Sequence, residues 1–555
     1  MISNVGLVFC YCPQAIKLID FHKLHNDLKN SEGVSNVVLH KEICKDPSII
    51  RSFIRSMRFE AMIIVGCSLY REVFKNEAES AGLNPLLIEV LPIRELLASK
   101  NTELSKNSMV KLELMIMGLI EKMRMMDSAK NVMPRRISPE LKFTRRMLLR
   151  GIPQVPQVYV PTPIIERDSC IGTQACDLCI KHCPKNALKD GGNNKLIIDA
   201  DNCDVCGVCT SICPTGAIQI PNATDEQLIA EMRIILTKFR EEFSSKILMF
   251  IDHEDYNLLA KLLYERKLSL PVEIFPIYIP SLALLSEVTI LSAINFGAAG
   301  IIFINSRHNA RRLEYLKVLN QKLMVVKEIL SATNYNTDWL LFIEFDNEHL
   351  EQLLNELTRF VEDVQKNQWY NEDIVESLSQ ENRRYLLVQL IKSIFRNNKP
   401  TKDIIDYEGP CPFGEVIIDK QKCTLCEVCV NNCPMDALSL SKDDNTVSIG
   451  FIYQKCVGCK LCTSLCPENA IMIKRYFSIS RLLSDTPSML VSQELMKCSR
   501  CGRPFITEGK LRKLSSIYSG LGPQSIDKIQ ALRLCAECRR SKIVPAEYDK
   551  WFIYR

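Results

Sequence analysis

The chain has 555 residues, 25 cysteines, and a net charge of +5 from 70 Lys and Arg against 65 Asp and Glu. Apolar residues make up 47% and charged residues 24%, which is ordinary for a globular protein, so the length predicts several domains of roughly 100–200 residues each. The small net charge does not indicate a polyanionic partner, and cysteines clustered two residues apart favour metal over disulfides. The N-terminus lacks a basic segment followed by a cleavage site, so we expect a cytoplasmic protein.

Residues 1–125 alternate between apolar strands and amphipathic helices, which predicts an α/β domain with a parallel sheet. The predicted strands are 5–9, 37–39, 61–65 and 86–91, and the predicted helices are 14–29, 47–57 and 72–81. Cysteines follow the first three strands in turn: Cys10 and Cys12, then Cys44, then Cys67. Ligand sites collect beyond the carboxyl ends of parallel strands, so these thiols either converge on one metal centre or are separate buried thiols.

Short motifs in this segment resemble, in order, the N-terminal domain of the heterodisulfide reductase A-type iron–sulfur polypeptide. They are Cys10-Tyr11-Cys12, Cys44-Lys45-Asp46-Pro47, Gly66-Cys67-Ser68, Ala81-Gly82-Leu83-Asn84-Pro85 and Ile93-Arg94-Glu95. The resemblance implies that the four cysteines bind an iron–sulfur cluster. In that family a flavin domain with a glycine-rich fingerprint follows, but this chain has no G-x-G-x-x-G, so we expect no flavin. Residues 126–165 instead form a predicted linker that is basic and rich in proline.

Two segments, residues 166–222 and 406–476, each repeat a cysteine motif twice. Three of the four runs match C-x2-C-x2-C-x3-C-P, the spacing that binds 4Fe–4S clusters in two-cluster ferredoxins. Three cysteines of each run bind one cluster and the fourth binds the other cluster of the pair. The predicted ligand sets are site A (Cys170, Cys176, Cys179, Cys213), site B (Cys183, Cys203, Cys206, Cys209), site C (Cys423, Cys426, Cys429, Cys466) and site D (Cys433, Cys456, Cys459, Cys462).

Cys170 departs from the motif because it precedes Cys176 by six positions instead of three. An enlarged loop delivers it to site A, or site A holds a three-iron cluster without it. Cys411 lies outside every run and is predicted to be a spare thiol.

Residues 223–335 carry no cysteine and predict a second α/β domain, with strands at 247–251, 272–279 and 300–304. The stretch 274–305 is long and apolar enough for a membrane span, but its prolines and glycines favour strand, helix and strand. Residues 293–303 resemble the delta subunit of methyl-viologen-reducing hydrogenase, which binds a 2Fe–2S cluster. The matching positions here hold Asp252, His253, Ser281 and Asn305-Ser306, which implies a scaffold without that cluster. His253 and His308 are either residual ligands or ordinary core or surface histidines, and we favour the second interpretation.

Residues 336–405 predict a charged helical region with core positions at helical spacing. Residues 490–555 carry two C-x2-C knuckles: Cys498 and Cys501, then Cys535 and Cys538. Four thiolates from two knuckles predict a structural zinc, with a rubredoxin-like iron as the alternative. This segment is basic, but its few aromatic residues favour a protein-docking surface over nucleic-acid binding.

The sequence therefore predicts α/β domains alternating with two bacterial-type two-cluster ferredoxin folds and a small four-cysteine domain. No general base, nucleophile or open metal position is visible, so we assign no catalytic residue. We expect a multi-cluster protein that transfers electrons between protein partners, as one component of a complex like heterodisulfide reductase, hydrogenase or formate dehydrogenase. No membrane span and no nucleic acid are expected, although partners could bring the chain to a membrane. Two rivals are a reductase that acts on a disulfide or small molecule at the N-terminal cluster, and a nucleic-acid-binding iron–sulfur protein.

Overall fold

A computed structural model of the chain divides it into two compact units. It describes residues 1–11, 21–29, 33–66, 70–92, 106–137, 158–307, 313–333, 337–364, 382–396, 398–407, 411–520 and 526–543. The first unit comprises Met1–Cys170 and Asp177–Thr401, and the second comprises Ile171–Cys176 and Lys402–Arg555.

The first unit begins with a parallel four-stranded sheet, which confirms the prediction of a parallel α/β arrangement. Its strands are β1 (Val5–Tyr11), β2 (Val34–Lys41), β3 (Ala61–Gly66) and β4 (Ile88–Pro92), in the order β2-β1-β3-β4. Its helices are Phe21–Lys29, Ile49–Met57, Arg71–Ser80 and Lys106–Arg124. Every residue of β3 is buried, as expected for a strand covered on both faces. The predicted residues 14–20 of the first helix lie outside the described part of the chain.

The first cysteine block consists of short hairpins and single-turn helices. The strand pairs are β5 (Arg135–Ile137) with β6 (Val158–Val160), β7 (Ile164–Ile165) with β10 (Ile218–Gln219), and β8 (Leu188–Asp190) with β9 (Leu196–Ile198). The helices are Leu178–Lys181 and Val208–Ile212. The first pair, β5 with β6, lies within the predicted linker, so the described ends of that segment pair with each other.

A second parallel sheet follows in the first unit. Its strands are β11 (Ile247–Asp252), β12 (Ile274–Ile279), β13 (Gly300–Ser306) and β14 (Leu340–Phe345), in the order β12-β11-β13-β14. Its helices are Asp225–Thr237, His253–Arg266, Glu287–Asn295, Leu313–Ser331, Leu350–Val364 and Arg383–Ile394. The apolar stretch 274–305 is strand, helix and strand, as predicted. Within the described ranges, no helix has the length and apolar character needed to span a bilayer.

One prediction in this region is wrong. Residues 340–345 were expected within a helical region, but they form the edge strand β14, paired with β13. The run Leu-Leu-Phe-Ile-Glu-Phe fits both periodicities locally, and pairing along the open edge of β13 decides the outcome because it satisfies the backbone groups there. The helix Leu350–Val364 then begins as predicted, with Leu350, Leu353, Leu357 and Phe360 buried.

The two α/β domains of the first unit pack through a pair of helices. Lys106–Arg124 lies against Asp225–Thr237, and a Cβ on Gly118 would lie 3.1 Å from Ile235. Between the domains, the buried Lys122 ammonium lies 3.1 Å from a carboxylate oxygen of Glu89 and 3.8 Å from one of Glu231. The cation satisfies two buried carboxylates that would otherwise be costly.

The second unit contains one antiparallel sheet that joins the second cysteine block to the knuckle segment. The sheet consists of β17 (Leu438–Lys442), β18 (Thr446–Phe451), β21 (Ser488–Lys497) and β22 (Pro504–Thr507), in that order. Two further pairs are β15 (Ile404–Ile405) with β20 (Phe477–Ser478), and β16 (Gly414–Ile418) with β19 (Ile471–Arg475). The helices are Val428–Asn431, Leu461–Leu465, Ile479–Leu483, Glu508–Ser519, Ile526–Ala531 and Ala536–Ile543.

Candidate metal centres

The cysteine motifs fold into tight loops in which backbone N–H groups donate to cysteine sulfurs. The N–H of Val205 donates to Cys203 Sγ, and that of Leu425 donates to Cys423 Sγ, each at 3.4 Å. In three Cys-Pro-x-x-Ala runs the alanine N–H donates to the cysteine sulfur at 3.3 Å: Ala187 to Cys183, Ala437 to Cys433 and Ala470 to Cys466. Such donors stabilise a thiolate over a thiol, so the loops favour sulfur that carries negative charge.

Site B forms the wall of a cavity in the first unit. Its four cysteines, Cys183, Cys203, Cys206 and Cys209, line a cavity of about 390 Å³ whose remaining wall is mainly apolar. Burial raises the pKa of Cys206 to about 11, and burial with the neighbouring thiols raises the pKa of Cys209 well above its usual value. Several thiolates held this close need positive charge among them, so the donor set fits a metal cluster.

Site C has the same construction in the second unit. Cys423, Cys426, Cys429 and Cys466 line a cavity of about 310 Å³. Burial, followed by the charges of the other three thiols, raises the pKa of Cys429 to about 11. The donor set and the cavity again fit a 4Fe–4S cluster.

The cysteines of site D also influence one another. Burial raises the pKa of Cys462 to about 12, and the charges of Cys456, Cys459 and Cys433 add to the increase. The four thiols of this predicted set therefore lie within electrostatic range of each other, as one ligand group requires.

Site A is the set for which the structure gives the least geometry. Cys170, Cys179 and Cys213 belong to the first unit, whereas Cys176 lies in the short segment Ile171–Cys176 of the second unit. This set, and the role of Cys170 in it, stay predictions from the spacing.

Two arginines contact the backbone of the first ferredoxin block, and sequence reasoning had given neither this role. Arg135, in the predicted linker, donates to the carbonyl oxygen of Cys203. Arg383 is buried, and it donates to the carbonyl oxygen of Cys213 at 2.9 Å while its Nε pairs with Asp225. Positive charge near a cluster stabilises its reduced form. No local signal marks these residues, because each contact joins positions far apart in the sequence.

The second α/β domain packs directly on the loop of site B. A Cβ on Gly207 would lie 2.5 Å from Leu284 Cβ and 2.8 Å from Leu284 Cα. Tyr315 donates to a carboxylate oxygen of Asp204 at 3.0 Å, and Val208 packs against Ala283 and Tyr315. This contact supports the predicted scaffold role with a specific location.

Residues at the positions implied for the hydrogenase 2Fe–2S cluster bond to one another and to their own backbone. Asp252 accepts hydrogen bonds from the N–H groups of Glu254 and Asp255, and Asp255 accepts from Ser306 N at 2.8 Å and Ser306 Oγ at 2.6 Å. His253 bonds to Arg71 of the first α/β domain, and burial with that positive charge holds its pKa well below the usual value. His308 lies outside the described residues.

The N-terminal cysteines are associated with one edge of the first sheet. Cys10, near the end of β1, pairs in register with His40 of β2, and a Cβ on Gly66 at the end of β3 would lie 2.9 Å from Cys10 Cβ. Cys44 lies three residues beyond the end of β2. Cys12 and Cys67 lie outside the described residues. The carboxyl ends of the three strands are therefore adjacent, and convergence of the four thiols stays a prediction.

The knuckle cysteines form the tightest thiol group in the described structure. The sulfurs of Cys498, Cys501, Cys535 and Cys538 all lie within 4.8 Å of one another. The N–H of Cys535 donates to Cys498 Sγ at 3.3 Å, and backbone donors lower the pKa of Cys498 to about 6. Four sulfurs this close suit a single tetrahedral ion such as zinc or iron, since a four-iron cube needs a wider ligand shell.

Paired cysteine loops with N–H donors to sulfur, built around cavities that the thiols line, define an iron–sulfur protein of the ferredoxin type. Comparison with protein families agrees: residues 422–470 match the 4Fe-4S dicluster domain, 196–219 match the 4Fe-4S binding domain, and 247–367 match the delta subunit of methyl-viologen-reducing hydrogenase. The last match includes β14, which the sequence analysis had assigned to another segment.

Curated relatives extend these matches. The chain is 34% identical to an uncharacterized ferredoxin of Methanocaldococcus jannaschii over 10% of its own length and 89% of the relative, and 34% identical to a ferredoxin of Methanothermococcus thermolithotrophicus over 92% of that relative. Through these segments the chain belongs to the ferredoxin family. It is also 22% identical to an A-type iron–sulfur polypeptide of CoB–CoM heterodisulfide reductase from Methanopyrus kandleri, over 40% of each chain. The chain thus spans less than half the length of that relative, and both resemblances stated from the sequence are confirmed.

Proposed function

We propose that this chain relays electrons between redox proteins as the multi-cluster iron–sulfur component of a complex related to heterodisulfide reductase or methyl-viologen-reducing hydrogenase. The observation that carries the proposal is the repeated construction of sites B and C, each a cavity lined by four cysteines of a crossed ligand set. The similarity to the A-type polypeptide of heterodisulfide reductase and to the hydrogenase delta subunit supports protein partners of those classes.

The proposed cofactors are four 4Fe–4S clusters at sites A to D, a fifth iron–sulfur cluster on the N-terminal cysteines, and one structural zinc on the knuckle cysteines. When bound, each 4Fe–4S cluster accepts and releases one electron. The chain contributes the thiolate ligands, the N–H donors that stabilise negative charge on sulfur, and apolar walls that limit water. Arg383 adds positive charge beside the Cys213 loop, which favours the reduced state there.

The relay does not require a substrate site. Sites A and B share the first cysteine block and sites C and D share the second, so each pair exchanges electrons over the short distance typical of two-cluster ferredoxins. The second α/β domain, packed on the site B loop through Leu284, has the role of a scaffold that holds the first block and offers surface to partners.

Anaerobic purification of the full chain tests the proposal. We expect acid-labile sulfide with about 16 iron atoms per chain from four cubes, and more if the N-terminal cluster is present. Reduction with dithionite should produce the electron paramagnetic resonance signals of interacting cubes, and reoxidation by a ferredoxin or viologen acceptor should be fast. A chain without labile sulfide, or a reducible chain that exchanges no electrons with any protein or viologen acceptor, would contradict the proposed function.

A further inference from the structure

The knuckle segment contacts the cluster loop of site C through its own backbone and side chains. Gln493 of β21 donates from Nε2 to the carbonyl oxygen of Cys423 at 2.7 Å. Thr507, at the end of β22, donates from Oγ1 to the carbonyl oxygen of Thr424 at 3.0 Å. Both acceptors belong to the loop that carries the first ligands of site C, so the knuckle segment satisfies backbone groups of that loop.

The helix Glu508–Ser519 approaches the same loop as closely as a backbone can. A Cβ on Gly509 would lie 2.9 Å from the carbonyl oxygen of Cys423 and 3.0 Å from Thr424 Cα, so only glycine fits there without a shift. Farther along the helix, Lys510 pairs with Glu427 at 3.2 Å and Lys513 with Glu468 at 2.8 Å. Glu427 and Glu468 both line the site C cavity, so the helix borders it on two sides.

The same segment is anchored at its other end by the four-cysteine site. Phe505 of β22 packs against the buried core formed by Cys498, Leu534 and Cys535. Two residues later, Thr507 caps the helix and reaches Thr424. One short strand therefore connects the knuckle sulfurs to the site C loop. The knuckle cluster has little apolar core of its own, so an ion on its four sulfurs is what would hold it together.

We propose that the four-cysteine metal module acts as a clamp on the site C loop, so that metal at Cys498, Cys501, Cys535 and Cys538 controls how firmly the site C cluster is retained. This inference rests on the proposed ligand assignment of site C. Without the metal, Phe505 loses its support, β22 loosens, and the contacts from Thr507 and Gly509 to the loop open more often. Exposure of the cluster to solvent and chelators then increases, whereas sites A and B in the first cysteine block keep their own supports.

The test measures iron release from the full chain during exposure to an iron chelator, followed by the visible absorbance and by the iron remaining. Cys538→Ser should lower metal at the knuckle and speed the release of about four iron atoms per chain, one cube's worth. Thr507→Val and Gly509→Ala leave the knuckle ligands intact and should release the same fraction about fivefold faster than the wild type, since each weakens a buried contact. Thr507→Ser keeps the hydroxyl and should restore the wild-type rate.

Gly520→Ala is the matched control because it makes the same substitution at the other end of the same helix, where a Cβ meets nothing closer than 3.5 Å. It should release iron at the wild-type rate. The clamp is refuted if Cys538→Ser loses its knuckle metal but retains every cluster as the wild type does, or if Gly509→Ala and Gly520→Ala behave alike. Wild-type protein without labile sulfide would instead reject the proposed function itself, so the two failures are distinguishable.

Discussion

Substitution of Gly207 tests whether the second α/β domain holds the site B loop in place. Gly207 has φ +81°, and an added Cβ would lie 2.5 Å from Leu284 Cβ and 2.8–2.9 Å from the backbone atoms of Leu284. Gly207→Ala therefore has two costs: about 1–2 kcal/mol for an alanine in the left-handed conformation, and about 1–3 kcal/mol for overpacking against a backbone that cannot rotate away. We expect a total loss of about 2–5 kcal/mol and a displaced loop between Cys206 and Cys209.

Gly192→Ala separates these two costs. Gly192 lies in the same ferredoxin block with φ +79°, but a Cβ there would have nothing within 4 Å. This variant should lose only the conformational contribution of about 1–2 kcal/mol and should keep its iron. The conformational penalty is thus matched, and the difference between the variants measures the contact with Leu284.

Iron and labile sulfide per chain, together with the thermal unfolding midpoint, give the readout. Gly207→Ala should lack about four iron atoms relative to Gly192→Ala and unfold at a lower temperature. Equal iron content and equal midpoints in the two variants would refute the reasoning, because the close approach to Leu284 would then have no consequence for site B.

Three other predictions concern ligands and buried charge. Cys429→Ser should lose about four iron atoms per chain, whereas Cys411→Ser, outside every cluster motif, should lose none; equal iron contents would contradict the site C assignment. Lys122→Met leaves two buried carboxylates without their cation and should cost about 3–5 kcal/mol, measured as a lower thermal midpoint. Burial lowers the pKa of Lys111 from 10.5 to about 7, so between these values the unfolded chain binds a proton that the folded chain does not. Stability should therefore rise with pH across this window, by up to about 1.4 kcal/mol per pH unit, and Lys111→Met should remove this contribution; an unchanged pH dependence would contradict it.

Much of the candidate chemistry could be predicted because it depends on local spacing. A C-x2-C-x2-C loop is short enough that its thiols must face one another, which is why the spacing predicted the groups now found around the cavities of sites B and C. The two knuckles are 33 residues apart, yet each C-x2-C presents its sulfurs as a pair, so the sequence also predicted that Cys498 and Cys538 would belong to one group. Strand β14 shows the limit of such reasoning, since a six-residue apolar run takes the structure that its neighbours offer.

The sequence by itself determined that the chain has two ferredoxin blocks, a parallel α/β domain before the first and another between them, and a terminal four-cysteine group. It determined these because cysteine spacing and apolar periodicity act over a few residues. Only the tertiary structure decided what surrounds each centre: Leu284 against Gly207, Arg383 on the carbonyl oxygen of Cys213, and the helix at Gly509 against the loop of Cys423. These contacts join residues from about 75 to 170 positions apart, and packing density and hydrogen-bond satisfaction select them only when the whole chain has folded.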